Sequence, residues 1–218
     1  MFDEEPTTLV IGVIRQSNVL ISIKNNIAIL AMTKTGSTAV DAAIAPYCDM
    51  VFTGDPRVKH MQLRRFNRFI RPYLSAIGHE QIETACVFRE PIAWLFSWYR
   101  YRARDNIKGQ ANSTHGISFN QFVETYLSED PDAFAQVGQQ SRFVTDKDGR
   151  MGIDHLFRYE EFERFEKFLS HRFAKKLEFP TKNQSQKQDM ILSNDLHSQL
   201  IKHFETDYEI YESCSRAD

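Results

Sequence analysis

Asn26-Ile27-Ala28-Ile29-Leu30-Ala31-Met32-Thr33-Lys34-Thr35-Gly36-Ser37-Thr38-Ala39-Val40 is the stretch that decides how the chain is read. An apolar run breaks at a short turn carrying Lys34, Gly36 and the hydroxyls of Thr35, Ser37 and Thr38, then resumes in small residues. This is the pattern of a buried strand, a tight loop and the first turn of a helix. A helix N-terminus aims unpaired N–H groups and the positive end of its dipole at one point. The loop is therefore a candidate anion site, with Lys34 as its mobile cation. The plainer reading is a strand-to-helix turn in which Gly36 serves backbone geometry alone, and the loop by itself does not separate the two. A Walker A loop requires Gly-x-x-x-x-Gly-Lys-Ser/Thr. Here Lys34 precedes the loop's glycine, Gly36, instead of following one, which disfavours an ordinary ATP or GTP hydrolase.

Outward from this stretch, strands alternate with helices. Leu9 to Ile14 and Val19 to Ile23 read as a peripheral hairpin around Gln16-Ser17-Asn18, within an N-terminal region of residues 1–25. Asn26 to Met32 is a strand covered on both faces, followed by a helix from Thr38 to Ala45 and a short strand from Asp49 to Thr53. Lys59 to Arg71 places Leu63, Phe66 and Ile70 on one helical face and Arg64, Arg68 and Arg71 on another. Ile82 to Phe88 is a strand, and Pro91 sits at the tolerated first position of the next helix. Ser118 and Gln121 form a capping box ahead of a helix to Leu127. Phe143 to Thr145 and Ile153 to Tyr159 read as strands, Phe162 to Phe173 as a helix, Phe179 to Lys187 as a polar loop, and Leu196 to Tyr211 as one long helix beginning near Ser193. The expectation is a single α/β domain over residues 1–218, with a central, mostly parallel sheet flanked by helices.

Composition narrows the class. Apolar residues make up 42% of 218, enough to bury a core without disulfides or metal and too many for a disordered chain. The formal charge of -2 carries no nucleic-acid signature. Cys48, Cys86 and Cys214 are an odd number without metal spacing, so reduced thiols are expected. The acidic start at Asp3-Glu4-Glu5 is not a secretory signal, and no apolar run approaches membrane-spanning length; the expected location is cytoplasmic, without a membrane partner.

A second constellation bears on the loop. Arg89 ends the strand Ile82 to Phe88, and Ser97 follows eight residues later on the helix. A strand-end Arg and a hydroxyl two helical turns on can converge on one phosphate. Read alone, Arg89-Glu90 is more simply a surface ion pair, with Ser97 lost among aromatics.

Together, in this order, the two motifs resemble the sulfotransferases that use 3′-phosphoadenosine 5′-phosphosulfate. Lys34-Thr35-Gly36-Ser37-Thr38 is similar to that family's Lys-x-Gly-x-Thr loop, which cradles the 5′-phosphosulfate. Arg89-Glu90-Pro91 and Ser97 are similar to its 3′-phosphate motif, with Glu90 for the usual Asp. Thr33 departs from the Pro that many members carry there. The likeness extends through Arg158-Tyr159-Glu160 and Asp207-Tyr208-Glu209 to the C-terminus. It implies a P-loop-like three-layer fold, the phosphosulfate as co-substrate, 3′,5′-adenosine bisphosphate as product, and no metal. Lys34, Thr35, Gly36, Ser37, Thr38, Arg89 and Ser97 are then the nucleotide-binding residues, and Thr181 to Lys187 a segment that closes over the nucleotide.

His60 and the segment after it are similar to the carbohydrate branch, especially the uronyl 2-O-sulfotransferases, where a His between the two phosphate motifs is the base. An acceptor hydroxyl must lose a proton as it attacks sulfur, and imidazole titrates near neutrality. Lys34 and His60 are thus the candidate catalytic residues, although a lone His more often caps a loop. The other histidines read as structural or exposed. The acceptor implied is a hydroxyl compound, with a sugar leading and an anionic sugar suggested by Arg64, Arg65, Arg68 and Arg71; such a charge run is more commonly a solvated helix face. Oligomeric state is not read from this sequence. Two rivals stand beside this reading: a small-molecule kinase needing ATP and Mg²⁺, and a non-catalytic member that binds nucleotide or acidic glycan.

Overall fold

The computed structural model describes residues 18–180 and 190–214. The expected strand at Leu9 to Ile14 and most of the expected polar loop at Phe179 to Lys187, including the expected closing segment Thr181 to Lys187, lie outside the described residues.

Five strands form one mixed sheet: β1 (Val19–Ser22), β2 (Ile27–Ile29), β3 (Met50–Phe52), β4 (Glu83–Phe88) and β5 (His155–Arg158), in the order β3-β1-β2-β4-β5. Helices flank it: α1 (Ser37–Ile44), α2 (Pro56–Lys59), α3 (Leu63–Arg65, continuing through a wide turn Phe66–Ile70 into Arg71–Ala76), α4 (Pro91–Arg102), α5 (Phe119–Tyr126), α6 (Ser141–Val144), α7 (Phe162–Arg172), α8 (Asn194–His203) and α9 (Glu205–Ser213).

The sheet is mixed rather than mostly parallel. Strand β1 runs antiparallel to both of its neighbours, β2 and β3, while β2-β4 and β4-β5 are parallel. The cause is local. Asn26 takes a left-handed φ of 49° and its N–H returns to the Ile23 carbonyl at 3.1 Å, so the chain reverses between β1 and β2. Adjacent strands joined by so short a turn must be antiparallel. Val19–Ser22 is therefore internal to the described sheet, not a peripheral strand.

Alternation along the strands divides the core. Ile27 and Ile29 of β2, with Ala85 and Val87 of β4, face α1 and α7. Ala28 and Leu30, with Cys86 and Phe88, face α3 and α9. A third apolar cluster joins α4, α5 and α8 around Trp94, Phe122 and Phe204. The expected capping box is formed, with Ser118 and Gln121 each bonding the other's backbone. All three cysteines are free, and burial pushes the Cys48 and Cys214 thiols up to about 12.

Two elements differ from the sequence reading. Phe143 lies in helix α6, not a strand, because the buried Asp207 carboxylate accepts from Gln140 and Ser141 N–H groups at 3.1 and 2.8 Å and starts a helical turn. The C-terminal helix is two helices, broken at buried Phe204. Helix α3 also carries a wide turn at Phe66–Ile70, where the Arg71 N–H bonds back to the Phe66 carbonyl. Pro72 has no N–H to give the Arg68 carbonyl and its ring would crowd it, which a wide turn relieves. The extra residue rotates Arg71 off the Arg64–Arg68 face. Its guanidinium instead donates to Asn67 Oδ1 and the Ile82 carbonyl at 3.0 and 3.3 Å.

Candidate functional site

The carboxyl ends of three adjacent parallel strands, β2, β4 and β5, meet at one place, the position at which open α/β sheets bind ligands. Each strand end contributes a different kind of group.

After β2, the chain turns through Lys34, which has φ 66°, and Gly36, which has φ 78°, into α1. A left-handed Lys costs roughly 1–3 kcal/mol, a strain that recurs at functional sites. Gly36 is required on two grounds: its φ, and a Cβ there would come within 3.0 Å of the Phe162 ring and 3.4 Å of Tyr159. Gly36 heads α1 without a side-chain cap. Thr35 is buried and its hydroxyl donates to the Met32 carbonyl at 3.0 Å, so it braces the loop and only its backbone faces the site. Trp94 of α4 holds the same loop through an indole N–H bond to the Thr33 carbonyl at 3.0 Å.

The Lys34 ammonium rests on α4, 4.1 Å from the Tyr101 ring centroid and 5.8 Å from that of Trp98. Burial, and the nearby charges of Arg104, Arg89 and Arg100, bring its pKa down to about 7. Its positive charge is therefore held less firmly than that of an ordinary lysine.

After β4, Arg89 is held from several sides. Its backbone N–H and carbonyl both bond the Gln140 side chain, at 3.0 and 2.8 Å. Its guanidinium donates to the Lys34 carbonyl at 3.3 Å and lies 4.6 Å from the Tyr159 centroid, at the end of β5. Arg89 Nε and Trp98 Nε1 are buried donors with no hydrogen-bond partner among the described residues. Such groups are rare in native proteins and call for an acceptor. Ser97 is buried on the same helix, α4, as the loop's partner Trp94. Glu90 is not a surface partner of Arg89. It caps α4, accepting from Ile92 and Ala93 N–H groups at 3.3 and 2.6 Å, and it takes the Tyr208 hydroxyl.

His60 ends α2, whose start is capped by Asp55. Its Nδ1 lies 2.7 Å from the Ala31 carbonyl, which can only accept, so Nδ1 carries the proton and Nε2 keeps a lone pair. Burial holds the imidazole below its ordinary pKa, against the pull of that bond. His60 lines a cavity of about 200 Å³ together with Thr33, Gln62, Trp94, Trp98 and Gln140. Trp98 forms one wall of this cavity and also touches Lys34, so the His60 cavity and the Lys34 loop share a partition.

No family model, no curated protein and no solved structure matches this chain. The site therefore stands on its own geometry. That geometry brings Lys34, Gly36 and Arg89 together directly and His60 beside them. Several contributors carried no sequence signal of a role. Gln140 lies 51 residues from Arg89, and only the packing of α9 against α6, through Asp207, sets its place. Tyr159 and Phe162 read as a strand end and a helix start, and their close approach to Gly36 has no local sequence signal. Arg102, within the run of arginines on α4, proves structural: its guanidinium donates to the carbonyls of Ala133, Phe134 and Gln136 at 2.7–3.0 Å.

Proposed function

We propose that the protein transfers a sulfuryl group from 3′-phosphoadenosine 5′-phosphosulfate to an acceptor hydroxyl, on a P-loop-like arrangement of β2, the Lys34 loop and α1. The observation that carries this reading is the junction of Lys34 and Arg89. Two cations from neighbouring strand ends are joined through the Lys34 carbonyl, beside a helix start without a side-chain cap and two buried donors lacking an acceptor. A ligand with two separated anionic groups suits such a site better than a single phosphate does. Arg89, with Ser97, takes the 3′-phosphate, and the N–H groups of Gly36, Ser37 and Thr38 take the other end.

His60 Nε2 accepts the proton of the acceptor hydroxyl as its oxygen bonds to sulfur. The bond from sulfur to the bridging phosphate oxygen breaks, and the electron pair stays with the nucleotide. Lys34 leaves the Tyr101 face to meet the charge growing on that oxygen. Sulfur is transferred in line, as in phosphoryl transfer, where positioning and charge stabilisation supply most of the catalysis. The acceptor cavity is lined by indole rings and amide side chains, with His60 as its titratable group, and this favours an uncharged ring bearing hydroxyls, such as a sugar.

One experiment separates this from its rivals. The bisphosphate and ATP are titrated against wild-type protein and His60→Ala, and transfer from the phosphosulfate to a panel of sugars is followed by mass spectrometry. The expected result is tighter bisphosphate than ATP binding in both proteins and transfer only in the wild type. Preference for ATP with Mg²⁺ would indicate a kinase. Binding without transfer to any acceptor would indicate a non-catalytic binder.

A further inference from the structure

The outer face of α3 is unlike the rest of the surface. Leu63, Phe66 and Leu74 are buried against the sheet, whereas Phe69, Tyr73 and Ile77 are 58%, 53% and 44% exposed. Phe69 in the wide turn, Tyr73 in the helical turn after it and Ile77 at its C-terminal end are thus exposed apolar side chains of one short segment. Arg64, Arg65 and Arg68 precede them in the same segment and are exposed, with Arg64 Nε donating to the Asp146 carbonyl at 2.9 Å and the Arg65 guanidinium to the Arg57 carbonyl at 3.2 Å. From Arg57 to His79 the sequence holds Arg57, Lys59, Arg64, Arg65, Arg68 and Arg71 and no Asp or Glu, in a chain of formal charge -2. Three acidic groups flank this segment, and two of them, Asp55 and Asp146, also feel the charges of Arg65 and Arg64. Asp55 pairs with Arg57 at 2.8 Å, Asp146 binds the backbone of its own turn at Asp148 and Arg150, and Glu80 accepts from Ser75.

We propose that this face of α3 docks on an anionic lipid surface, lying in the plane of the interface. A helix with basic and apolar side chains exposed together partitions to the headgroup boundary, its apolar groups entering the acyl region and its cations meeting acidic headgroups. Arginine stems and aromatic rings suit that boundary, since each joins an apolar body to a polar end. A second copy of the chain is disfavoured as occupant, because a twofold contact would set the same arginines against each other. A nucleic acid would use the arginines but leave Ile77 without a role. Among the described residues no helix is long and apolar enough to cross a membrane, so the contact is peripheral. The proposal is independent of sulfate transfer.

The test is flotation of the full chain with vesicles of phosphatidylcholine alone and of phosphatidylcholine mixed with phosphatidylserine. Binding is expected only to the mixed vesicles. Arg64→Gln, Arg65→Gln and Arg68→Gln combined should weaken it about a hundredfold. Phe69→Ser, Tyr73→Ser and Ile77→Ser combined should abolish it with thermal stability unchanged, while Ile201→Ser, an exposed apolar change on α8, should leave it intact. A second readout is Phe69→Trp, whose emission should shift to the blue on the mixed vesicles. Equal binding by the triple serine variant, no blue shift, or no flotation combined with capture of an acidic peptide would each overturn the proposal.

Discussion

Lys34 and Arg89 stand at the ends of neighbouring parallel strands and touch through one carbonyl, yet they are built in opposite ways. Arg89 is locked: backbone bonded twice to Gln140, ring-stacked on Tyr159 and lowered by burial from a pKa so high that it stays charged. Lys34 is adjustable. It sits on a strained turn with its ammonium on an aromatic face, and burial and like charges place its pKa near 7. The contrast teaches a division of labour. A permanent, fixed cation suits recognition of a group that does not react, and a movable cation with a tunable charge suits an oxygen whose charge appears only during the reaction.

The largest expected effect breaks the Lys34 side of this contrast. Lys34→Met should lower sulfate transfer about 10²–10³-fold, the loss seen when one oxyanion donor is removed, with a much smaller loss of bisphosphate affinity. Arg89→Met should do the reverse, weakening the bisphosphate about 10- to 100-fold by calorimetry, from a charged hydrogen bond worth roughly 1.5–3 kcal/mol. Equal losses of rate and affinity in both variants would dissolve the distinction.

The third prediction uses protons. Between about 7 and the ordinary lysine value of 10.5, the unfolded chain binds more protons at Lys34 than the folded one, so stability from this group rises with pH across that window. An anion in the site should restore the proton. Bisphosphate binding should then be coupled to proton uptake above about pH 7, weaken as pH rises, and give heats that depend on the buffer's ionisation enthalpy. Lys34→Met should lose both the stability slope and the uptake. The smallest expected effect is on the frame beneath Arg89. Tyr208→Phe removes one bond to the Glu90 cap and should lower the melting temperature by about 2–4 °C.

Much of the site was legible because its signals are local. The break at Lys34-Thr35-Gly36 marks a strand-to-helix turn, Arg89-Glu90-Pro91 marks a strand end and a helix start, and both elements are present in the structure. Side-chain roles within these motifs were harder to read. Thr35, counted among the anion ligands, turns its hydroxyl inward to Met32, and Glu90 serves as a helix cap. Whether a hydroxyl or carboxylate faces ligand or backbone depends on which acceptor lies within reach, and this is set by the fold. The frame was illegible for the same reason. Asp207 fixes Gln140, Tyr208 meets Glu90, and the Tyr211 hydroxyl bonds Glu160 at 3.0 Å, so one face of α9 braces all three segments. A strand expected at Phe143 became helix because that distant carboxylate capped it.

From its amino-acid order alone, this chain determined an α/β class, most of its strands and helices, and the two motifs that supply Lys34 and Arg89. Those follow from apolar periodicity, proline and glycine geometry, and capping, all of which act over a few residues. The tertiary structure alone decided the mixed pairing of the sheet, the meeting of β2, β4 and β5 ends, and the aromatic bed under Lys34. An apolar strand records that both its faces are covered but not the direction of its neighbours, because ladder hydrogen bonds are made by backbone groups common to every residue. The charge state of Lys34 belongs to the same category: it comes from burial and from three arginines brought beside it by folding.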